Sequence, residues 1–377
     1  MIEALTRNAV DVLPAGGLEE KLKLGRPLRV KLGIDPTSPD VHLGFAFVLD
    51  RLAAFQAAGH TVVLIVGDYT ARIGDPSGRS KERPVLADEE LDANAHRFAE
   101  QAFRVLDAER TEIRFNSEWL SKLDFAEILR LTRTTTVAQI LERDDFAKRM
   151  AANAPISVSE LLYPLMQAYD SVAVRADVEL GGTDQLYNIL MGREVMAAYG
   201  IEPQIAVTVR YLDSWDGLGM SASRGNYIGL REDAEEQFGK TMRIPDSLLR
   251  QWYELLVERD VPDGDAMDSK LALARWIVAR SHGKDAAEEA EAHFTQVVRA
   301  GRAPDEVPEA PLPPGDPVHL PAALAAAFGL STSEVRRLIA GGGVKVDGEV
   351  VRALDLDRAA LSEATVQAGK RRFVRFR

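Results

Sequence analysis

Two kinds of hydrophobic segment alternate along the first 230 residues of the chain. Short, nearly continuous apolar runs rich in β-branched residues, such as PLRVKLGI and TVVLIVGDY, are typical of strands buried on both faces of a parallel sheet. Between them, HLGFAFVLDRLAAFQAAGH places apolar residues at helical spacing and ends near a glycine. Residues 27–69 therefore predict a strand, a helix and a second, parallel strand.

The alternation continues and predicts an α/β fold, a Rossmann-type, doubly wound parallel sheet over residues 1–230 with helices on both faces. Further strands are expected at TEIRFNS, SVAVRADVEL and QIAVTVR. Further helices are expected at ADEELDANAHRFAEQAFRVLD, TVAQILERDDFAKRM, SELLYPLMQAYDS and TDQLYNILMGREVMAAYG.

The pattern changes after residue 230. Residues 231–302 have almost wholly helical periodicity and predict a second, helical domain. Residues 303–316 are rich in proline, which is typical of a semi-rigid linker. Residues 317–377 predict a small α+β module, with a helix at STSEVRRLIAGGG and strands in VKVDGEV and RRFVRFR.

Composition restricts the class of protein. The 377 residues include 46% hydrophobic and 28% charged residues, as in ordinary globular proteins, and no cysteine, which excludes disulfides and thiolate metal sites. The N-terminal segment is unlike a signal peptide, and no run approaches the roughly 18 apolar residues of a membrane span. We therefore expect a cytoplasmic protein without membrane contact.

Positive charge is concentrated in the last module. Residues 317–377 contain ten Lys and Arg against six Asp and Glu, a net charge of +4. Because the whole chain has a net charge of −12, the remaining residues have a net charge of −16. A basic module on an acidic body indicates a partner that contacts the module alone, although a solvated surface would give the same count.

Glycine-rich turns after the first two strands are the first candidates for a ligand site, because such turns face the crevice of a doubly wound sheet. In GIDPTSPDVHLG, His42 lies at a helix N-terminus, where it could bind phosphate or merely cap the helix at the surface. In GDYTARIGDPSGRSKERP, Asp75 lies in a tight turn. Arg79, Lys81 and Arg83 follow it and could close over a polyphosphate or be solvated.

A polar stripe marks the helix in SVSELLYPLMQAYDS. Ser157 and Glu160 fit a capping box at its start. Tyr163, Gln167 and Asp170 then follow at i, i+4 and i+7 on one face of an otherwise apolar helix. A buried polar stripe must be hydrogen-bonded, so these side chains form either an internal network or a ligand site.

A second polar cluster follows the strand in VRADVEL. Close approach of backbone to a ligand is typical of glycines at such a strand end. Asp75, Asp170 and Gln185 could together bind an amine and a phenol, whereas the scattered histidines do not predict a metal site. The cluster consists of Gly181, Gly182, Asp184 and Gln185.

These segments, in this order, resemble the bacterial tyrosyl-tRNA synthetases of class I along nearly the whole chain. The resemblance implies a Rossmann catalytic domain, a helical anticodon-recognition domain and a C-terminal RNA-binding module. It also implies a homodimer that makes tyrosyl-adenylate from L-tyrosine and ATP, with Mg²⁺ and without a tightly bound cofactor, and then esterifies tRNA. The matching blocks are VKLGIDPTSPDVHLG, IGDPSGRSKERP, FNSEWL, LLYPLMQAYDSVAVRADVELGGTDQ, EVRRLIAGGGVKVDGEV and GKRRFVRFR.

The resemblance also implies roles for individual residues. The tyrosine pocket would consist of Asp75, Tyr163, Gln167, Asp170 and Gln185. ATP would be bound by Asp35, Gly44, Phe45, Gly182, Asp184 and Met220. Catalysis would depend on Thr37, His42, Arg79, Arg83, Ser221, Ser223 and Arg224. The RNA-binding residues would be Arg336, Arg337, Lys345, Lys370, Arg371 and Arg372.

Two motifs depart from the family pattern. Phe45 occupies the last position of His-Leu-Gly-His, and GMSAS stands for Lys-Met-Ser-Lys-Ser, so that Gly219 and Ala222 replace both lysines. Contacts to charge developing on a leaving pyrophosphate are worth about 3 kcal/mol each. Their loss without replacement predicts adenylation slowed roughly 10³- to 10⁵-fold, unless Arg224 substitutes in part.

Two other functions fit the same departures. The chain could be a divergent paralogue that activates tyrosine or an analogue for a small-molecule or biosynthetic acceptor. It could instead be a non-catalytic protein that binds RNA or tyrosine. The intact pocket positions and the C-terminal module favour the synthetase.

Overall fold

A computed structural model describes residues 1–37, 40–77, 87–299, 307–369 and 372–377. The chain forms two compact units. The first unit contains Met1–Glu232 and Ile244–Asp263, and the second contains Asp233–Arg243 and Gly264–Arg377. Residues 244–263, which the sequence places in the helical domain, thus group with the first unit.

The first unit is built on a six-stranded sheet in the order β1-β6-β5-β2-β3-β4. All neighbours are parallel except β1, which pairs antiparallel with β6 at one edge. The predicted α/β, doubly wound fold is confirmed, and the antiparallel edge strand is an addition to it. The strands are β1 (Ala9–Leu13), β2 (Arg29–Ile34), β3 (Thr61–Val66), β4 (Thr111–Phe115), β5 (Val178–Gly182) and β6 (Ile205–Val209).

Helices accompany this sheet in the first unit. The β2–α3–β3 segment matches the predicted strand–helix–strand unit closely, and β3 is almost entirely buried. The helices are α1 (Ile2–Leu5), α2 (Gly17–Leu22), α3 (Leu43–Ala57), α4 (Asp88–Ala102), α5 (Ser117–Leu120), α6 (Phe125–Thr132), α7 (Val137–Leu141), α8 (Asp144–Ala151), α9 (Val158–Val174), α10 (Leu186–Ala198) and α12 (Leu249–Trp252), with a π-helical turn at Tyr253–Val257.

Two sequence predictions are wrong in detail. SVAV, expected to begin a strand, is the last turn of α9, which ends at Arg175 in the left-handed conformation. An apolar run of this length fits a helix as well as a strand, and the capping box at Ser157 favours the helix. TVAQILERDDFAKRM forms two helices instead of one, because Arg143 has extended backbone angles between α7 and α8.

The second unit contains a helical part and a small mixed part. Phe238, Leu271, Ala274 and Val278 are core residues of the helical part. The small part has a five-stranded sheet in the order β10-β9-β12-β13-β7 and a two-stranded sheet, β11-β8. Its predicted helix and strands are present. The elements are α11 (Ala234–Thr241), α13 (Ala266–His282), α14 (Lys284–His293), α15 (Leu320–Phe328), α16 (Thr332–Ala340), α17 (Arg358–Leu361), β7 (Glu309–Ala310), β8 (Val318–His319), β9 (Val344–Val346), β10 (Glu349–Val350), β11 (Asp355–Leu356), β12 (Thr365–Ala368) and β13 (Arg372–Phe376).

Candidate active site

The candidate site lies at the carboxyl ends of β2, β3 and β5, where loops of a doubly wound sheet form its ligand crevice. Asp35 follows β2, and Gly67 follows β3. A Cβ atom on Gly67 would lie 2.1 Å from Asp35 Oδ1 and 2.4 Å from Thr70 Oγ1. Only glycine therefore allows the two loops to approach so closely.

Asp35 connects the residues expected to bind ATP with those expected to bind tyrosine. Its Oδ1 accepts a hydrogen bond from Thr70 Oγ1 at 2.7 Å, and its Oδ2 accepts one from Tyr163 Oη at 2.9 Å. The backbone N–H of Thr37 donates to the carbonyl oxygen of Asp35 at 2.8 Å. The two predicted subsites are thus adjacent and share this carboxylate.

Asp170 is fully enclosed. Its Oδ1 accepts a hydrogen bond from Trp119 Nε1 at 2.8 Å and its Oδ2 accepts one from Asn116 Nδ2 at 3.3 Å. Burial raises the pKa of Asp170 to about 7, although the charge of Lys31 opposes the rise. Sequence reasoning selected Asp170 but missed both hydrogen-bond donors, even though FNSEWL, which contains them, was one of the matching blocks.

The two predicted glutamines belong to one hydrogen-bonded chain. Gln185 Nε2 donates to Asp75 Oδ2 at 2.8 Å, and Gln167 Nε2 donates to Glu179 Oε1 at 3.2 Å. Asn188 Nδ2 donates to the side-chain oxygens of both glutamines at 3.0 Å. The three predicted tyrosine-pocket residues in this network, Asp75, Gln167 and Gln185, are therefore held in defined orientations by protein side chains.

A buried ion pair lies beneath these residues. Lys31 on β2 and Glu179 on β5 are both almost completely buried, with 3.0 Å between Nζ and Oε1. Lys31 Nζ also donates to Ser171 Oγ at 2.8 Å and to the carbonyl oxygen of Gln167 at 3.0 Å. Sequence reasoning missed this pair, although a lysine inside an apolar strand signals a buried charge that requires a partner.

The polar stripe on α9 is therefore an internal network as well as a candidate ligand site. Tyr163, Gln167 and Asp170 each have hydrogen-bond partners within the first unit. The two interpretations left open by the sequence are compatible, because the partners themselves come from the predicted pocket and its surroundings.

His42 precedes α3 and is buried, not exposed as a surface cap would be. Burial lowers its pKa to about 4, so the ring is neutral at pH 7. Its Nδ1 has no hydrogen-bond partner among the described residues, and a Cβ atom on Gly44 would lie 3.1 Å from it. Phe45 packs beside it with ring centroids 4.5 Å apart and meets Phe98 edge-on at 5.8 Å.

The loop that lacks the lysines is an ordered turn. Met220 is buried, and the N–H of Ser221 donates to Asn226 Oδ1 at 2.9 Å. Arg224 is exposed, and its Nη1 donates to the carbonyl oxygen of Gly219 at 3.1 Å. Arg224 thus lies at the loop, as its predicted role requires, but part of its guanidinium is engaged there.

Tyr211 covers the end of β5, a feature that sequence reasoning missed. Its Oη donates to Asp184 Oδ1, and a Cβ atom on Gly182 would lie 2.4 Å from its ring. A Cβ atom on Gly219 would lie 3.7 Å from the Cβ of Tyr211. Tyr211 therefore stands between two predicted ATP-binding residues and the position of a missing lysine. Its place directly after the last parallel strand was the available signal.

Comparison with known proteins places these residues in a family. The model of "tRNA synthetases class I (W and Y)" matches residues 23–299. The tyrosine–tRNA ligase of Moorella thermoacetica is 47% identical over 99% of this chain and 95% of its own length. That of Thermotoga maritima is 46% identical over 99% of this chain and 96% of its own length. The chain belongs to the class I tyrosine–tRNA ligase family.

Solved structures support the ligase fold. A C-terminally truncated mitochondrial tyrosyl-tRNA synthetase of Aspergillus nidulans is 24% identical, with a TM-score of 0.65 over 78% of this chain and 93% of that chain. A tyrosyl-tRNA synthetase of Archaeoglobus fulgidus, complexed with L-tyrosine, is 22% identical, with a TM-score of 0.62 over 77% of this chain and 98% of that chain.

The small part of the second unit corresponds to an S4 domain, because the family model of that domain matches residues 320–354. Arg336, Arg337 and Arg372 are exposed, and Lys345 is half-buried. Hydrogen bonds from Ser331, together with the charges of Arg337 and Arg372, lower the pKa of Glu334, so both arginines lie near this carboxylate.

Some predicted residues of the ligase site cannot be placed. Arg79, Lys81, Arg83, Lys370 and Arg371 lie outside the described residues, as does the side chain of Ser223. Within the described ranges, no helix is long and apolar enough to cross a bilayer. The same ranges contain no group of three or more His, Asp and Glu side chains arranged to hold a metal ion.

Proposed function

We propose that this chain activates L-tyrosine with ATP to form tyrosyl-adenylate and transfers the tyrosyl group to tRNA. The observation that carries the proposal is that all five expected polar pocket residues are present and each is hydrogen-bonded to neighbouring side chains, in a chain nearly half identical to tyrosine–tRNA ligases over 99% of its length. Neither alternative function is favoured by a feature of the structure.

The first step is in-line attack of the tyrosine carboxylate on the α-phosphorus of ATP, with pyrophosphate leaving. The attacking group is already ionised, so no general base is needed and catalysis consists of positioning and charge stabilisation. Asp35, itself one of the residues expected to bind ATP, accepts a hydrogen bond from Tyr163 of the expected tyrosine pocket, so it would lie where the two substrates meet. ATP enters as its Mg²⁺ complex, and no tightly bound cofactor takes part.

His42 acts as a hydrogen-bond donor and not as a cation. A pKa of about 4 leaves its ring neutral at physiological pH, so it carries one N–H and one acceptor nitrogen. At the start of α3, a phosphate oxygen would meet this N–H and the positive end of the helix dipole. Phe45 supplies only an apolar ring here.

Selection of tyrosine depends on Asp170. A buried carboxyl group that accepts from Trp119 and Asn116 still has lone pairs for a phenolic O–H. Phenylalanine would bury this carboxyl group without supplying a hydrogen bond, which is the physical basis for rejecting it.

The S4 domain would bind tRNA through Arg336, Arg337, Lys345, Lys370, Arg371 and Arg372. The exposed, clustered arginines of this set and the net charge of +4 on residues 317–377 support this role, because phosphate contacts supply most of the affinity for RNA. Residues 231–302 would recognise the anticodon.

The ligase would act as a cytoplasmic homodimer. Several large apolar side chains are exposed on the consecutive segments α6 to α9, and a second protein surface packed against them would remove this apolar area from water. A second copy is the partner that the family resemblance implies. These side chains are Phe125 (73% exposed), Leu129 (42%), Val137 (60%), Met150 (54%) and Val158 (73%).

Two assays test the proposed activity. Tyrosine-dependent exchange of pyrophosphate into ATP measures the first step, and attachment of tyrosine to bulk tRNA measures the second. We expect both activities. Exchange without charging would indicate a different acceptor, and binding of tyrosine or RNA with neither activity would indicate a non-catalytic protein.

A further inference from the structure

The orientation of the two glutamine amides determines the polarity of the pocket. An amide group has an acceptor oxygen at one end and an NH₂ donor at the other, in nearly the same shape. In Gln167 and Gln185, the NH₂ ends face the carboxylates of Glu179 and Asp75. A reversed amide would place its oxygen against a carboxylate and present the opposite polarity to a bound amino acid.

Asn188 on α10 fixes the other end of both amides. Its Nδ2 donates to Gln167 Oε1 and to Gln185 Oε1, each at 3.0 Å, and the residue is only 1% exposed. An NH₂ group has two hydrogens, and the two glutamine oxygens are the nearest of its three acceptors, since Ser77 Oγ lies farther away at 3.3 Å. Asn188 itself must therefore be oriented with its oxygen pointing away from both glutamines.

Arg143 accounts for that orientation. A guanidinium group can only donate, and Arg143 Nη1 donates to Asn188 Oδ1 at 2.9 Å. Its Nη2 donates to Ser77 Oγ at 3.0 Å and to Asp145 Oδ2 at 2.8 Å. Arg143 is 6% exposed, and its position between α7 and α8 lies outside the predicted pocket. The break between these helices thus aims a fixed donor at the pocket.

The same guanidinium also supports the turn that carries Asp75. Ser77, which accepts from Arg143, donates its backbone N–H to Asp75 Oδ1 at 2.9 Å. Asp75 Oδ2 accepts from Gln185. The network therefore runs in one direction, from an obligate donor at Arg143 through three amides to obligate acceptors at Asp75 and Glu179.

We propose that Arg143 and Asn188 are positioning residues that fix the amide polarity of Gln167 and Gln185 and thereby set the affinity for tyrosine. Neither residue is among those that the family resemblance assigns to the site. The proposal rests on the proposed function, because it takes the glutamines to contact the amino acid.

The decisive variant is Asn188→Asp. Its two oxygens can only accept, so each glutamine amide would have a carboxylate at both ends and could donate to only one of them. We expect KM for tyrosine to rise about tenfold or more, as the loss of two buried hydrogen bonds implies, while KM for ATP and kcat of exchange change by less than about threefold. Asn188→Ala, which adds no charge, should shift KM in the same direction.

Arg143 is tested with a graded pair and a matched control. Arg143→Met removes the obligate donor and should raise KM for tyrosine about tenfold, whereas Arg143→Lys keeps one donor and should recover part of that loss. Lys148→Met on α8, whose exposed ammonium pairs with Asp144, should leave KM unchanged. Circular dichroism identifies any variant that fails to fold.

A spectroscopic measurement separates this proposal from the proposed activity. The measurement compares ¹⁵N-glutamine-labelled wild-type protein with labelled Asn188→Asp, both without substrate. The side-chain NH₂ resonances of Gln167 and Gln185 should differ between the two proteins. Shifted resonances in a protein without exchange activity would contradict the function but not the network. Unshifted resonances, unchanged KM for tyrosine in folded variants, or equal effects on tyrosine and ATP would overturn the proposal.

Discussion

At the scale of single residues, burial determines the charge of the groups around the site. Asp170 and His42 are both enclosed, and burial moves their pKa values in opposite directions, to about 7 and about 4, because in each case it disfavours the charged form. The polar atoms around Asp170 are paired, whereas His42 Nδ1 has no hydrogen-bond partner among the described residues. Near neutral pH, therefore, the His42 ring stays uncharged, whereas the Asp170 carboxyl group titrates.

Asp170 should make the protein less stable as pH rises from about 4 to about 7. Its pKa in the folded state lies above the ordinary 3.8, so over this window the folded state binds more protons than the unfolded state. Its contribution to the free energy of unfolding should fall by about 4 kcal/mol. Urea unfolding at several pH values measures the free energy of unfolding for the wild-type protein and for Asp170→Asn. If this free energy depends on pH in the same way in both proteins, the raised pKa of Asp170 is contradicted.

Tyr211 should contribute to ATP binding through Asp184. Tyr211→Phe removes the donor to the Asp184 carboxylate and keeps the ring over Gly182. We expect KM for ATP to rise about two- to tenfold with KM for tyrosine unchanged, which corresponds to about 0.5–1.5 kcal/mol, the net contribution of one typical hydrogen bond. An unchanged or lower KM for ATP in the exchange assay would show that the phenol does not support the nucleotide site.

At the scale of elements, the loop at residues 219–224 is the main departure from the family. Its turn is held by hydrogen bonds that involve Ser221, Asn226 and Arg224, so the missing lysines have not left it without structure. A Cβ atom on Gly219 would have only an ordinary contact with Tyr211, at 3.7 Å. Lysine therefore fits at this position.

Restoring the loop lysines should accelerate adenylation. The double variant Gly219→Lys/Ala222→Lys returns two cations to the pyrophosphate side, and we expect exchange to rise by at least about tenfold. Gly219→Met/Ala222→Met is the matched control, with similar length and no charge. Equal rates in the two variants would mean that other groups already neutralise the leaving group.

Elements could be predicted from the sequence where one pattern dominated. The buried strands β2 and β3 and the capped helix α9 were recognisable because burial and capping leave periodic signals. The break at Arg143 was not, because a hydrogen bond that the Arg143 side chain donates to Asn188 on another helix favours it and no proline or glycine marks it. The same contrast holds at the site. The pocket residues were predicted from the polar stripe and the matching blocks, whereas Asn188 and Trp119, which donate hydrogen bonds to them, were not, because such contacts between distant segments leave no pattern in the sequence.

At the scale of the whole molecule, the proposed homodimer explains the apolar side chains exposed along α6 to α9. Phe125→Asp/Val158→Asp should convert dimer to monomer, because charge would have to be buried in the interface. Sedimentation velocity at micromolar concentration measures the change. Leu24→Asp, at a half-exposed leucine outside these helices, is the control and should remain dimeric. A monomeric wild-type protein would contradict the proposal.

The most direct test of the whole account compares tyrosine with phenylalanine in the pyrophosphate exchange assay. A site built to hydrogen-bond a hydroxyl rejects the analogue without it by about 10⁴-fold or more in kcat/KM, and tyrosyl-tRNA synthetases are the standard example of this rule. We expect that preference here, and we expect Asp170→Asn to reduce it. Exchange that proceeds equally well with phenylalanine, or a pocket that binds neither amino acid, would contradict the account.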